Sequence, residues 1–159
     1  MLHSDLVTFM RDHGMPAMAH HKPHRPRIAV VDDDVQVIGA LLRILSRIAP
    51  GADIRSAHDR FSAGVLLASF HPELVLLDIV MPGLSGVEVC ERIKSTPELR
   101  GTAVVIVSAH ISVEVRARLT AVGADGFISK PFATTDIEAA VASFAGTSKA
   151  TAAAAHAGG

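Results

Sequence analysis

Ile28-Ala29-Val30-Val31-Asp32-Asp33-Asp34 is a run of four apolar residues, three of them β-branched, that ends in three carboxylates. A short apolar run without polar alternation reads as a strand buried on both faces, the kind that fills the middle of a parallel sheet. Three more runs end on a polar residue: 74–77 on Asp78, 104–107 on Ser108, and 127–129 on Lys130. Parallel strands point the same way, so these residues would meet at one sheet edge, where ligands bind in open α/β sheets.

Working outward, residues 27–144 alternate between such runs and longer amphipathic stretches. The predicted strands are 28–31, 53–56, 74–77, 103–107 and 126–128, and helical spacing recurs between them, as in Ile38, Leu41, Leu42, Leu45 and Ile48, or Ile111, Val115, Leu119 and Val122. Five strands alternating with five helices give a doubly wound parallel sheet with helices on both faces. Strands one, three and four belong in the middle. The strand at 53–56, with Asp53 and Arg55 inside it, reads as an edge. Pro50-Gly51, Pro72, Pro97, Gly123 and Gly126 punctuate the connections.

The flanks differ. Residues 1–26 carry five of the nine histidines (His3, His13, His20, His21, His24) and three of the eight prolines, and read as a flexible extension in which Leu6, Val7, Phe9 and Met10 could form one helical turn. Met15 or Met18 could equally be the natural start. The histidines lack the fixed spacing of a built metal site. The domain is placed at 27–146, and 147–159 reads as a disordered Ala/Gly-rich tail. With 15 Lys+Arg against 16 Asp+Glu, the charge balance points to neither nucleic acid nor an anionic membrane. No apolar stretch approaches the roughly 18–20 residues of a membrane span, so the cytoplasm is the expected compartment. The single cysteine, Cys90, excludes an internal disulfide and reads as a packed helix position.

At the converging edge, two or three crowded carboxylates repel each other, and a hard cation such as Mg²⁺ relieves this. Asp34, one place further on, is expected to cap the first helix. Asp78 follows Leu76-Leu77 and precedes an apolar run that breaks at Pro82-Gly83, so its carboxylate needs a partner or a task. As a nucleophile it could take a phosphoryl group, with Lys130 offering a compact positive charge and Ser108 a hydroxyl donor.

Together, Val30-Val31-Asp32-Asp33-Asp34, Leu76-Leu77-Asp78-Ile79-Val80-Met81-Pro82-Gly83 with Gly86, Val107-Ser108-Ala109 and Lys130-Pro131-Phe132 resemble a bacterial response-regulator receiver domain in order and spacing. The resemblance implies a flavodoxin-like fold with strand order 2-1-3-4-5. It implies that Asp78 is the phosphoacceptor, that Asp33, Asp78 and the Val80 carbonyl bind Mg²⁺ directly, and that Asp32 binds it through water. Ser108 and Lys130 would contact the phosphoryl group, Ser108 and Phe127 would form the switch, and Lys130-Pro131 would be a cis peptide. Val80 and His110 stand where relatives tune the lifetime of the phosphoryl group.

The implied function is a phosphoryl-accepting switch rather than an enzyme with its own substrate, loaded by a histidine kinase or a histidine phosphotransfer protein. Output is expected through an unknown downstream protein that reads the face formed by helix four, strand five and helix five, about residues 112–144, without direct contact to nucleic acid or membrane. Only 15 residues follow Phe144, so a second output domain is not expected unless the chain is a fragment of a longer regulator. Arg116, Arg118, Asp125, Asp136 and Glu138 could pair across a phosphorylation-dependent homodimer. Two other readings carry weight. An aspartyl phosphatase usually has a second acid two residues past its nucleophile, where Val80 stands here. A pseudo-receiver would bind partners without being phosphorylated, against the complete set of acids, hydroxyl and lysine.

Overall fold

Residues 24–144 are described by the computed structural model. Its strands are β1 (Arg27–Val31), β2 (Asp53–Ala57), β3 (Leu74–Leu77), β4 (Val80–Met81), β5 (Leu84–Ser85), β6 (Ala103–Ser108) and β7 (Gly126–Ser129). The helices are α1 (Val35–Ile48), α2 (Arg60–Phe70), α3 (Gly86–Ser95), α4 (Val113–Val122) and α5 (Thr134–Phe144). Five strands form one parallel sheet in the order β2-β1-β3-β6-β7, the flavodoxin-like arrangement, and β4 and β5 make a small separate hairpin. The readings of 1–23 and of the tail from 145 onward lie outside the described residues.

Side chains alternate across the central strands because successive Cβ atoms point to opposite faces. Ala29, Val31, Val75, Leu77, Val104 and Ile106 enter one core, with α2, α3 and α4. Ile28, Val30, Leu74, Leu76, Val105 and Val107 enter the other, with α1 and α5. Both faces of β1, β3 and β6 are therefore covered, which is why these strands read as unbroken apolar runs. β2 lies at an edge with a half-buried pattern, as its charges predict. Leu41, Leu45 and Ile137 are almost completely buried, each contributing roughly 1.5–3 kcal/mol relative to exposure.

Short polar residues start the helices. Asp34 Oδ1 accepts from Gln36 N at 2.9 Å at the head of α1, so its capping role holds. Asp59 and Ser112 cap α2 and α4. Ile111, whose spacing suggested that it belonged to the fourth helix, stands just before the Ser112 cap, yet it still packs against the core. Among the described residues no helix is long and apolar enough to cross a membrane. Cys90 is fully buried on α3, and burial pushes its thiol pKa up.

Candidate functional site

Ladder hydrogen bonds continue just past the strand ends. Asp32 N donates to Ala57 O at 3.2 Å, Asp78 N to Val31 O at 2.9 Å, and Lys130 N to Ser108 O at 2.9 Å. The backbones of the predicted site residues are thus pinned to one sheet edge by the same pairing that builds the sheet. Asp32 and Asp78 are buried there although they are acids, at 1% and 6% exposure.

Lys130 joins them. Its Nζ donates to Asp32 Oδ2 at 2.7 Å and to Asp78 Oδ2 at 3.3 Å. The other carboxylate oxygens accept backbone amides, Asp32 Oδ1 from Asp34 N at 2.9 Å and Asp78 Oδ1 from Val80 N at 3.0 Å. Carboxylate oxygens of Asp32, Asp33 and Asp78 lie within 4.8 Å of one another, with Asp33 exposed. Three carboxylates against one ammonium leave a net of two negative charges in the ionised cluster. Hard oxygen donors with that residual charge suit a divalent cation, so the residues fit the group that the sequence implied.

Burial, joined by the neighbouring Asp78 charge, raises the pKa of Asp32 from its ordinary value against the lowering effects of the Lys130 hydrogen bond and charge and the Asp34 amide. Burial also opposes charge on Lys130, but its hydrogen bond to Asp32 and the charges of Asp32 and Asp78 outweigh that and raise its pKa overall. A carboxyl with a raised folded pKa adds stability that is full below its unfolded pKa and is lost as pH rises through the folded value. Asp32→Asn should therefore raise the metal-free melting temperature at neutral pH, with the gain shrinking as pH falls into the ordinary carboxylate range. Thermal melts across pH check this, and a lower melting temperature at neutral pH would contradict it.

Ser108 Oγ is buried and without a hydrogen-bond partner among the described residues. A buried hydroxyl normally finds a partner, so one waiting at this edge can receive an incoming acceptor. The side chain of Val80 is 67% exposed beside the pocket, and His110 is exposed after β6. Phe127 on β7 is half-buried against the core, and the Arg116 guanidinium of α4 lies 4.3 Å from its ring centroid. The Lys130-Pro131 bond is cis.

Several features escaped the sequence. The β4–β5 hairpin folds the segment after Asp78 back on itself, with Gly83 at φ 68° and its carbonyl accepting from Arg60 at 3.3 Å. Asp125 is held inside the chain, where Oδ2 accepts from Lys94 Nζ and from Val104 N, each at 2.8 Å. Asp136 Oδ2 accepts from Ala133 N at 2.8 Å. The signal available for these was spacing within the chain, and none of the pairs has a distinctive one.

The sequence profile described as Response regulator receiver domain matches residues 28–142. Response regulator MprA of Mycobacterium avium (strain 104) is 39% identical over 107 residues, covering 67% of this chain and 45% of the relative. Phosphate regulon transcriptional regulatory protein PhoB of Rhizobium meliloti (strain 1021) is 34% identical over 116 residues, covering 73% of this chain and 50% of the relative. The chain thus spans about half the length of these curated relatives. Among solved structures, the signal receiver domain of the DNA binding response regulator protein (merR) from Colwellia psychrerythraea 34H aligns with a TM-score of 0.71 at 31% identity, covering 74% of this chain and 96% of that one. The signal receiver domain of a Luxo repressor protein from Vibrio parahaemolyticus aligns with a TM-score of 0.74 at 25% identity, covering 82% of this chain and 98% of that one. With the profile spanning nearly the whole described fold and the sheet order agreeing, the chain belongs to the response regulator receiver domains, the phosphorylatable switches of two-component signalling.

Proposed function

We propose that Asp78 is the phosphoacceptor and that a histidine kinase or a histidine phosphotransfer protein is the donor. A carboxylate oxygen of Asp78 attacks phosphorus, the phosphorus–nitrogen bond of the donor phosphohistidine breaks, and the imidazole leaves with its electron pair and takes up a proton. The observation that carries this reading is the Lys130 ammonium lying between the Asp32 and Asp78 carboxylates. Asp33, Asp78 and the Val80 carbonyl would hold Mg²⁺, with Asp32 acting through water. The cation supplies charge neutralisation at the phosphoryl oxygens. Lys130 then neutralises one phosphoryl oxygen, and Ser108 turns its partnerless hydroxyl toward another.

Output follows from that movement. Drawing Ser108 toward the phosphoryl group opens space for Phe127, and the ring leaves the Arg116 guanidinium, a contact worth roughly 0.5–1 kcal/mol at an exposed position. One exposed contact of that size does not lock the switch, which the phosphoryl group biases with a charge of about −1.5 to −2. The face made by α4, β7 and α5 is the surface a downstream protein would read. The near-neutral charge supports a protein reader over nucleic acid. Phosphorylation-dependent pairing through that face would use Arg118 and Glu138 before Asp125, which Lys94 already holds.

Incubation with Mg²⁺ and acetyl phosphate, read by intact mass, tests the reading. A persistent adduct of one phosphoryl group is expected, whereas continuous acetyl phosphate consumption without adduct would indicate a phosphatase and no reaction a pseudo-receiver. Val80 and His110 are proposed to set the lifetime of the adduct, Val80 by keeping an apolar side chain beside the acyl phosphate. Val80→Asn should shorten its half-life severalfold in a decay assay, and equal half-lives would refute that role.

A further inference from the structure

The sheet has two edges, and β2 is the one remote from the face made by α4, β7 and α5. It pairs with β1 without interruption, from Asp53 opposite Arg27 to Ala57 opposite Val31, so no bulge bends it away and no proline interrupts it. Asp53 N donates to Pro26 O at 2.8 Å, and Ala57 O accepts from Asp32 N at 3.2 Å. Residues 53, 55 and 57 therefore turn their backbone groups inward to β1, and Ile54 and Ser56 turn theirs out from the sheet. Among the described residues no strand pairs with this outer side.

The charges on the edge have an order. Arg55 lies 4.5 Å from the Phe70 ring centroid, which puts its side chain on the face that α2 covers, and alternation puts Asp53 on the same face. Within the strand the two make only a loose pair at 3.4 Å, with the Arg55 and Asp53 side chains 55% and 42% exposed. Opposite charges two residues apart on an edge are self-complementary under a two-fold axis. In antiparallel pairing with the β2 of a second copy, centred on Ile54, the two Ile54 residues exchange backbone hydrogen bonds and Ser56 N faces the Ala52 carbonyl of the second copy. Asp53 then stands directly opposite Arg55 of the second copy, and Arg55 opposite its Asp53, at the non-hydrogen-bonded positions where side chains approach most closely. An axis centred on Asp53 or on Arg55 instead sets that residue against its own copy, like charge against like, which is destabilising. The charge pattern thus selects one register.

We propose that β2 is a homotypic docking edge, to which a second copy of this chain adds its own β2 antiparallel, joining the two sheets into one. In that arrangement α2, which packs on β2, runs beside its copy, and Val65 on this helix, 52% exposed, adds apolar surface to the approach. The two Asp78 pockets open at opposite ends of the joined sheet, and the α4, β7 and α5 faces lie at its far edges. A dimer of this kind leaves both sites free and presents two readout faces, which strengthens binding to a target with two matching sites. It forms with Asp78 unmodified and does not depend on the phosphorylation chemistry.

Sedimentation equilibrium of the full chain without acetyl phosphate or Mg²⁺, over a concentration series reaching the millimolar range, tests it through a cycle of charge reversals. The wild type should show a monomer–dimer equilibrium. Asp53→Arg and Arg55→Asp each leave one sign of charge on the edge and should weaken the dimer by about tenfold or more. Asp53→Arg/Arg55→Asp restores opposite signs and should recover it, and an equimolar mixture of the two single variants should dimerise where neither does alone, because a basic edge then meets an acidic one. A wild type that stays monomeric throughout would overturn the proposal, as would a dimer that both single variants retain, which would belong to another face. Single variants that stay monomeric when mixed would overturn it too. If Arg55→Asp, which also loses the Phe70 contact, fails to fold, Asp53→Arg and Ser56→Pro decide. Ser56→Pro removes an amide that the single chain leaves unpaired and should abolish the dimer, and a dimer persisting in both variants would contradict the docking edge.

Discussion

Lys130→Ala is expected to slow phosphoryl incorporation from acetyl phosphate by about 10²–10³-fold, the usual loss when a preorganised charge-stabilising donor is removed from a transfer site. The ammonium lies 2.7 Å from Asp32 and 3.3 Å from Asp78, held by a strand-end backbone that is itself bonded to Ser108. Its side chain is 17% exposed, so water can replace it only partly. The two buried acids lose their shared counter-charge in the variant and repel each other more strongly. Metal-free stability should therefore fall at neutral pH, and added Mg²⁺ should restore more of it than in the wild type. Pseudo-first-order incorporation rates and urea midpoints with and without Mg²⁺ measure both effects. Incorporation within twofold of the wild type would remove Lys130 from the chemistry.

Gly86→Ala is expected to destabilise the fold by about 1–3 kcal/mol, the range for forced overpacking. A Cβ there would lie 2.4 Å from Ile79 Cγ2, 2.5 Å from Ile79 Cα and 2.6 Å from Ile79 Cβ. Because one of these is a backbone atom, a side-chain rotation cannot clear the clash. Either the start of α3 or the segment between Asp78 and Val80 must move. The second option displaces the Val80 amide from Asp78 Oδ1, now 3.0 Å away, and so reaches the site. Urea unfolding should show a lower midpoint and the phosphorylation assay a slower rate, whereas a stability change under about 0.5 kcal/mol, the scale of an ordinary surface substitution, would contradict the close approach.

How much of this could be read from the chain depended on whether a residue's role was set locally. The central strands were legible because burial on both faces leaves no polar break in 28–31, 74–77 and 104–107. Asp34 was legible as a cap because N-cap chemistry needs only its own helix. The pocket was legible because parallel strands bring their ends to one edge, so Asp32, Asp78, Ser108 and Lys130 needed no long-range guess beyond the sheet. Ile111 misled because helical spacing continues through a residue that the Ser112 cap leaves outside the helix. The hairpin at Val80–Ser85 has only two residue pairs, too short for an alternating pattern. Lys94 and Asp125 read as separate surface charges, as did Arg116 beside Phe127. Their partnerships join α3 or α4 to segments around β7 and exist only once the layers have packed.

Which carboxylate carries the phosphoryl group decides the matter, and borohydride reduction converts an acyl phosphate on aspartate into homoserine at that position. After incubation with Mg²⁺ and acetyl phosphate, reduction and peptide mapping should find homoserine at Asp78 alone, and Asp78→Asn should yield none. Homoserine at Asp32 or Asp33 in the unmodified chain, or an undiminished adduct in Asp78→Asn, would show that the pocket does not work as described.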